Sequence, residues 1–480
     1  MTRAELITLS PFIMLAAAPV VIMVVVAFYR HHLLTALLTL IGLVAAFVTL
    51  PAASSTAVQQ VTPLLIVDRY ALFYIGLLLA ASFAVTALSY GYLEGYDGHR
   101  EEFYILVLLA TLGSAVLVAS SHFASFFLGL ELLSVSLYAL IAYPRRSQDH
   151  IEAGIKYLIL AAASAAFLLF GMALIYAELG TMEFARIATL QTTLSSVNSA
   201  LLVTGWGMLV VGIGFKLAVV PFHMWTPDIY EGAPAPVTAF VATVSKGGML
   251  ALSLRFFTQL DIQVYGALFA VFALIAIASM CIGNLLALLQ NNVKRILAYS
   301  SIAHLGYLLV AFLASGALAI TAVTFYLVAY FVTTLGAFGI ITVLSNSERE
   351  ADRLDDYQGL FWRRPWLAGI FTSTLLSLAG IPLTAGFVGK FYLVAAGVGS
   401  ALWPLVIILV VTSAVGLFYY LRLVAAMYMQ PPQEEVSVVA SSLSLAGSLV
   451  LAALMLLLVW LGVYPAPFID MIQATAARLI

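Results

Sequence analysis

An all-α polytopic membrane protein with about fourteen transmembrane helices is predicted by three features of the chain. Of its 480 residues, 64% are hydrophobic and 9% are charged. Apolar runs of about 20 residues, the length that crosses the hydrocarbon of a bilayer, recur from end to end. The polar stretches between them are too short to fold as a separate soluble domain. A formal net charge of −2 and the lack of any Lys/Arg tract argue against a nucleic-acid role, and the lone Cys281 excludes an intrachain disulfide.

Hydropathy and helix-breaking residues place the first seven spans at 8–28, 33–50, 71–91, 104–120, 123–143, 154–177 and 201–222. Seven more are expected at 236–257, 264–288, 297–315, 317–344, 366–394, 402–429 and 438–463. The first run follows a short segment with one arginine and no small-residue cleavage site, and many equivalent runs succeed it. It therefore reads as a retained helix and not as a signal peptide.

An even number of spans puts both termini on one side, and Lys and Arg in alternate connections indicate which. One set holds eleven: Arg30, Arg100, Arg145, Arg146, Lys294, Arg295, Arg349, Arg353, Arg363, Arg364 and Arg422. The terminal side holds five: Arg3, Arg69, Arg186, Arg255 and Arg478. Both termini are accordingly expected on the periplasmic side. The longest hydrophilic connection, Asn346 to Arg364, mixes acid and base and reads as a solvated surface segment with no function of its own.

Two spans are interrupted. In VGIGFKLAVVP, Gly212, Gly214 and Pro221 flank Lys216; in GIPLTAGFVGK, Pro382 and Gly386 precede Lys390. Glycine permits close backbone approach, and proline removes a hydrogen bond and bends the axis. The segment 1–100 supplies three leading spans, followed by two units of five, 101–260 and 261–430, and a last span in 431–480. The broken helix is fourth in each unit, the seventh and twelfth spans of the chain. An odd number of spans makes the units antiparallel, the pattern of inverted repeats that build an ion site at the bilayer midplane.

Ionisable side chains at that depth are costly, so Glu131, Lys216, Lys246 and Lys390 are the candidate site residues. Glu131, in GLELLSVSLY, has no cation within four residues and needs an interhelical partner. Lys246 lies in mid-span beside Gly247 and Gly248, away from the ends where a lysine can snorkel. Burial would make a lysine release its proton more readily and a neighbouring carboxylate would hold it, so an approaching Glu131 could switch Lys216 and pass a proton on toward Lys246 and Lys390. Lys156 has Glu152 four residues before it, the spacing of a helix-surface pair. His223 and His304 sit at or in apolar segments and could relay protons, although a satisfied core histidine is the alternative for each. No GxGxxG, GxxxxGK[ST], CxxC or HExxH pattern is present, so nucleotide, iron–sulfur and zinc sites have no support, and no metal is expected.

The segments GFKLAVVPFHMWTPDIYEGAPAPVTAFVATVSKGG, NNVKRILAYSSIAHLGYLL and SLAGIPLTAGFVGKFYL resemble the antiporter-like membrane subunits of proton-pumping NADH:quinone oxidoreductase, respiratory complex I. The likeness covers essentially the whole chain. LEGYDGHREEFYILVLLATLG and YQGLFWRRPWLAG are most similar to the N-type branch of that family. The resemblance implies that Glu131 and Lys216 act as a coupled pair and that Lys246 and Lys390 continue a hydrated charged axis, with His304 a link. Lys390 departs from the M-type pattern, which has a glutamate there, and the chain's end at Ile480 departs from the L-type, which adds a lateral helix.

The resemblance further implies that the chain translocates protons without bond chemistry of its own and binds no cofactor. NADH, FMN, iron–sulfur clusters and quinone are expected in partner subunits. The expected partners are the M-type and the small K-, J-, A- and H-type membrane-arm subunits, within the lipid bilayer of a bacterial inner (plasma) membrane. The alternative is a subunit of a multisubunit Na+(cation)/H+ antiporter. A purely structural spacer fits poorly, since four buried ionisable groups would each cost a few kcal/mol.

Overall fold

A computed structural model describes every residue except 1, 57, 97, 145–146, 194–198, 261–265, 347–348, 431–443 and 477–480. Arg145, Arg146, Arg478 and the first residues expected in the last span lie outside this description. The described spans are α1 (Ser10–Phe28), α2 (His32–Ser54), α3 (Arg69–Leu93), α4 (Glu101–Ala119), α5 (Phe123–Ile141), α6 (Gln148–Leu179) and α7 (Ala200–Leu217). The short α8 (Trp225–Gly232) completes the seventh. Then come α9 (Ala235–Leu260), α10 (Gly266–Leu288), α11 (Val293–Phe312) and α12 (Ala317–Leu344). The twelfth span is split into α13 (Pro365–Ala379) and α14 (Ala385–Gly399), and α15 (Trp403–Tyr428) and α16 (Leu445–Val463) follow. The amphipathic α17 (Ala466–Ala476) and an antiparallel hairpin of β1 (Gln60–Thr62) and β2 (Leu65–Ile66) lie at the end where the chain begins. Thirteen long apolar helices and the split pair make fourteen spans among the described residues.

Burial sorts the spans. The apolar window of α9 is wholly buried and those of α11 and α12 are 94% buried, against 33% for α1, α2, α6 and α10. The central three helices carry Lys246, His304 and a ladder of tyrosines, so the polar residues of the core stand where lipid does not reach.

The breaks differ in position from the sequence expectation. Gly212 and Gly214 lie inside the regular helix α7, and the chain leaves it only at Ala218, which adopts a left-handed conformation (φ 59°). Their role is close packing: a Cβ on Gly212 would stand 2.6 Å from Leu168 Cδ1, and one on Gly214 2.6 Å from the Phe222 ring. Pro221 is within the break, and the seventh span resumes at Trp225, where the sequence suggested an end at 222. In the twelfth span Gly380 closes α13 with φ +86°, Pro382 lies in the break, and Thr384 caps α14 through the Phe387 N–H. Gly386 is already helical, and a Cβ there would meet the Ser377 carbonyl oxygen.

Arg255 also departs from expectation. It lies within α9, buried, with its guanidinium on Asp68, and does not count among the exposed connections. The connection from Asn346 to Arg364 is at the surface, but it is not merely solvated. Glu350 turns inward to accept from the Tyr92 hydroxyl (2.6 Å) and the Ala235 N–H (3.1 Å), and it pairs with Lys294 at 3.3 Å. That tie gives the otherwise unpaired N–H at the start of α9 an acceptor.

Candidate functional site

Lys216 is the penultimate residue of α7, where the negative end of the helix dipole favours a cation. At that end the Phe215 carbonyl accepts from the Ala218 N–H and, from α8, from the Trp225 indole N–H, each at 2.9 Å. The Lys216 ammonium, buried, donates to Ser134 Oγ (3.1 Å) and the Tyr157 hydroxyl (3.0 Å). Glu131, three residues before Ser134 on α5, makes no ion pair with it within 4.0 Å, and its Oε1 is buried without a hydrogen-bond partner. The expected Glu131–Lys216 pair is therefore indirect. Leu128 and Val135, which share a face with Glu131, are 62% and 59% exposed, so Glu131 stands half-buried at the border between that face and the buried face that carries Ser134.

Lys246 follows a π-helical turn, Val241–Ser245, a local widening of the helix frequent at functional sites. Its ammonium donates to Ser301 Oγ at 2.6 Å and lies 5.2 Å from the centre of the Tyr230 ring. Ser301 also accepts from the Tyr330 hydroxyl (2.7 Å), whose ring lies 5.7 Å from that of His304. His304 Nδ1 is 2.7 Å from the Tyr326 hydroxyl and Nε2 is 3.1 Å from that of Tyr420, which in turn bonds Ser300.

Lys390 reaches back across the twelfth-span break. It donates to the carbonyl oxygens of Leu378 (2.9 Å) and Ala379 (2.8 Å), the uncapped end of α13, and to Ser413 Oγ (2.7 Å). Gly380 makes room for the stem, since a Cβ there would come 2.8 Å from Lys390 Cδ. Among the described residues none of the three lysines has a carboxylate partner within 4.0 Å; hydroxyls, carbonyls and aromatic faces hold them.

The remaining candidates separate. His223 sits in the seventh-span break, buried, with neither ring nitrogen hydrogen-bonded. Lys156 pairs with Glu152 at 2.7 Å, the surface pair its spacing suggests, and also lies 3.4 Å from Asp228. It lines a polar cavity of about 1040 Å³ on the face with the more basic connections. Arg295 crosses that cavity to Asp228 (2.9 Å) and Glu231 (2.7 Å). At its edge, burial raises the Asp352 carboxyl above the ordinary carboxylate value, opposed by the Lys294 ammonium. Sequence reasoning missed the hydroxyl partners Ser134, Tyr157, Ser301, Tyr330, Tyr326 and Tyr420. The signal available was the recurrence of tyrosine and serine on otherwise apolar spans.

Two split spans that end beside buried lysines, packed round an enclosed core of histidine and hydroxyls, define an antiporter-like transmembrane subunit. Residues 120–416 match the family described as NADH:quinone oxidoreductase/Mrp antiporter, TM. The chain is 56% identical to NADH-quinone oxidoreductase subunit N of Nitrosospira multiformis, over 99% of this chain and 97% of that one. It is 48% identical to the subunit N of Ectopseudomonas mendocina with the same coverage. Among solved structures, a chain of respiratory complex I from Thermus thermophilus with bound aureothin superposes with a TM-score of 0.82 at 32% identity, covering 96% of this chain and 98% of that one. A chain of the Mrp complex from Dietzia sp. superposes with a TM-score of 0.86 at 22% identity, over 100% of this chain and 98% of that one, a likeness of fold. The chain belongs to the antiporter-like membrane subunits of NADH:quinone oxidoreductase and, within them, to the subunit N family.

Proposed function

We propose that this subunit moves protons through the membrane arm of NADH:quinone oxidoreductase along Glu131, Lys216, Lys246, His304 and Lys390, driven by redox chemistry in other subunits. The observation that carries the reading is the placement of three lysines in the protein interior on hydroxyl and carbonyl acceptors, with no carboxylate bound to any of them. A salt-bridged lysine is held charged; one resting on neutral acceptors in a low dielectric can lose its proton and regain it. NADH, FMN, iron–sulfur clusters and quinone would be bound by partner subunits, and this chain would contribute no bond chemistry. The neighbours would be the M-type and small membrane-arm subunits, and the basic connections would face the cytoplasm, leaving both termini periplasmic. The Mrp likeness is one of fold, whereas the close relatives by sequence are subunits N.

The test is proton pumping by sealed vesicles carrying the assembled complex. Lys216→Ala should lower the protons moved per NADH oxidised while the complex still migrates intact on a native gel with NADH-oxidising activity. Equal loss of assembly and pumping would assign Lys216 to structure, and unchanged pumping would remove it from the path.

A further inference from the structure

The two ends of α9 are built differently. Toward the face with the basic connections, the helix starts at Ala235 on Glu350, which lines the charged cavity of about 1040 Å³. Toward the face that carries both termini, the same helix runs nine residues from Lys246 to Arg255, about 13.5 Å at the rise of an α-helix. Between them Ser253 is the one hydroxyl residue of the helix itself, and it donates to the Met249 carbonyl, while from α3 the Tyr70 hydroxyl donates to the Ala251 carbonyl at 2.7 Å, so both hydroxyls are bound to backbone oxygens. Arg255 is 1% exposed and grips Asp68 with two bonds of 2.8 and 2.7 Å, its guanidinium 4.8 Å from the centre of the Tyr70 ring. The Asp68 carboxylate also accepts from the Ala71 N–H at 2.7 Å.

The next residues complete a hydrocarbon layer. Phe256 packs against Phe184 (4.6 Å between ring centres), Phe123 (5.8 Å) and Trp206 (5.8 Å), and Phe257 packs against Phe312 (5.8 Å). These rings come from the first turn of α5, the second turn of α7 and the short helix Phe184–Thr193 in the first repeat, and from the last residue of α11 in the second, so the layer joins the first repeat to its neighbour. A guanidinium stays charged at every working pH and has no lone pair to accept a proton. Aromatic rings offer none either, and the carboxylate already accepts three donors, two from Arg255 and one from the Ala71 N–H.

We propose that the Arg255–Asp68 pair and the aromatic layer above it form a proton seal, closing the first repeat toward the face of the termini so that charge arriving at Lys246 can leave only toward the second repeat. The proposal rests on the lysine-axis reading.

The experiment uses sealed vesicles containing the assembled complex and measures two quantities. One is passive proton leak under an imposed potassium diffusion potential without NADH; the other is protons moved per NADH oxidised. Asp68→Leu combined with Arg255→Met removes both charges together. The expected result is normal assembly and NADH oxidation, a several-fold rise in leak, and return of the leak to the wild-type level when Lys246→Met is added. Wild-type leak in the assembled double variant overturns the proposal, as does a raised leak that Lys246→Met leaves unchanged. If the double variant does not assemble, Phe256→Ala thins the layer with the ion pair intact, and tight vesicles from that variant overturn it equally. The axis reading is judged separately, by pumping in Lys216→Ala.

Discussion

Lys390 caps the half-helix that precedes it: its ammonium stands 2.9 Å from the carbonyl oxygen of Leu378, across the break between α13 and α14. The bond joins a side chain costly to bury with backbone groups costly to leave unpaired. The partial negative charge of a helix C-terminus is concentrated on those last carbonyls, so it stabilises the ammonium without the permanent hold of a carboxylate.

Replacing Lys390 should therefore have two separable effects. Lys390→Ala leaves the carbonyls of Leu378 and Ala379 without their donor, and a buried unsatisfied group costs about 1–3 kcal/mol. Thermal unfolding of the purified complex should show that loss together with the loss of pumping. Lys390→Gln, which can still donate, should recover stability and not pumping. If the glutamine variant pumps normally, a titrating group at 390 is not required.

Glu131 and Lys216 should be coupled without touching. The carboxylate is not hydrogen-bonded at Oε1, and Lys216 rests on Ser134 and Tyr157. Glu131→Gln should reduce pumping with little change in stability, since no direct bond is broken. Tyr157→Phe removes one of two acceptors from a buried ammonium and should cost about 1–3 kcal/mol. A double-mutant cycle on pumping rate should be non-additive; strict additivity would leave the two groups independent.

Much of this arrangement is legible in the chain and some is not. Long apolar runs fix the number of spans because backbone polar groups in lipid must be satisfied within the helix. The lysines stand out because burial of charge is rare, and the match of the two breaks follows from Pro and Gly near each lysine. Gly212 and Gly214 misled because glycine serves close packing as well as breaks, and only the neighbouring Leu168 and Phe222 distinguish the two uses. Glu131's half-buried position depends on which face of α5 the bundle covers, a tertiary property. Arg255 looked like a connection residue because it stands near a span end, and its partner Asp68 is 187 residues away. Glu350 was hidden for the same reason: its partners Tyr92, Ala235 and Lys294 come from three different helices.

The Lys294–Glu350 pair should be structural. Lys294 is fully buried, donating to Ala233 O (2.7 Å) as well as to Glu350, and removing one partner of a buried pair costs about 3–5 kcal/mol. Lys294→Ala should deplete the assembled complex on native gels, while Lys294→Met with Glu350→Gln should recover part of it. Full assembly of the single variant would show that the connection after α12 is not held by this pair.

Asp352 sets a pH dependence of known sign. Its folded carboxyl titrates above the ordinary value because it is buried, so the folded state binds its proton more tightly than the unfolded chain does. Its contribution to stability is fully present below the unfolded value, about 3.9, and is lost as pH rises through the folded value. Asp352→Asn should flatten that fall in a thermal-stability series against pH, and the carbonyl oxygen of the substituted amide would still accept the bond that Asn292 now donates at 2.6 Å. An unchanged profile would mean the fall originates elsewhere.

His304 offers the sharpest test of the path between Lys246 and Lys390. A neutral imidazole donates through one nitrogen and accepts through the other, and here both nitrogens face tyrosine hydroxyls that can play either role. If Nδ1 donates to Tyr326, Nε2 accepts from Tyr420; passing one proton through the ring reverses both bonds, with Ser300 available to receive from Tyr420. Tyr326→Phe or Tyr420→Phe removes one of the two hydroxyls while leaving the ring stacked in the core. Each should slow pumping with assembly intact, and the pair together should slow it no more than His304→Phe, because all three act on the same transfer. A double variant that pumps at the wild-type rate would route the proton around His304.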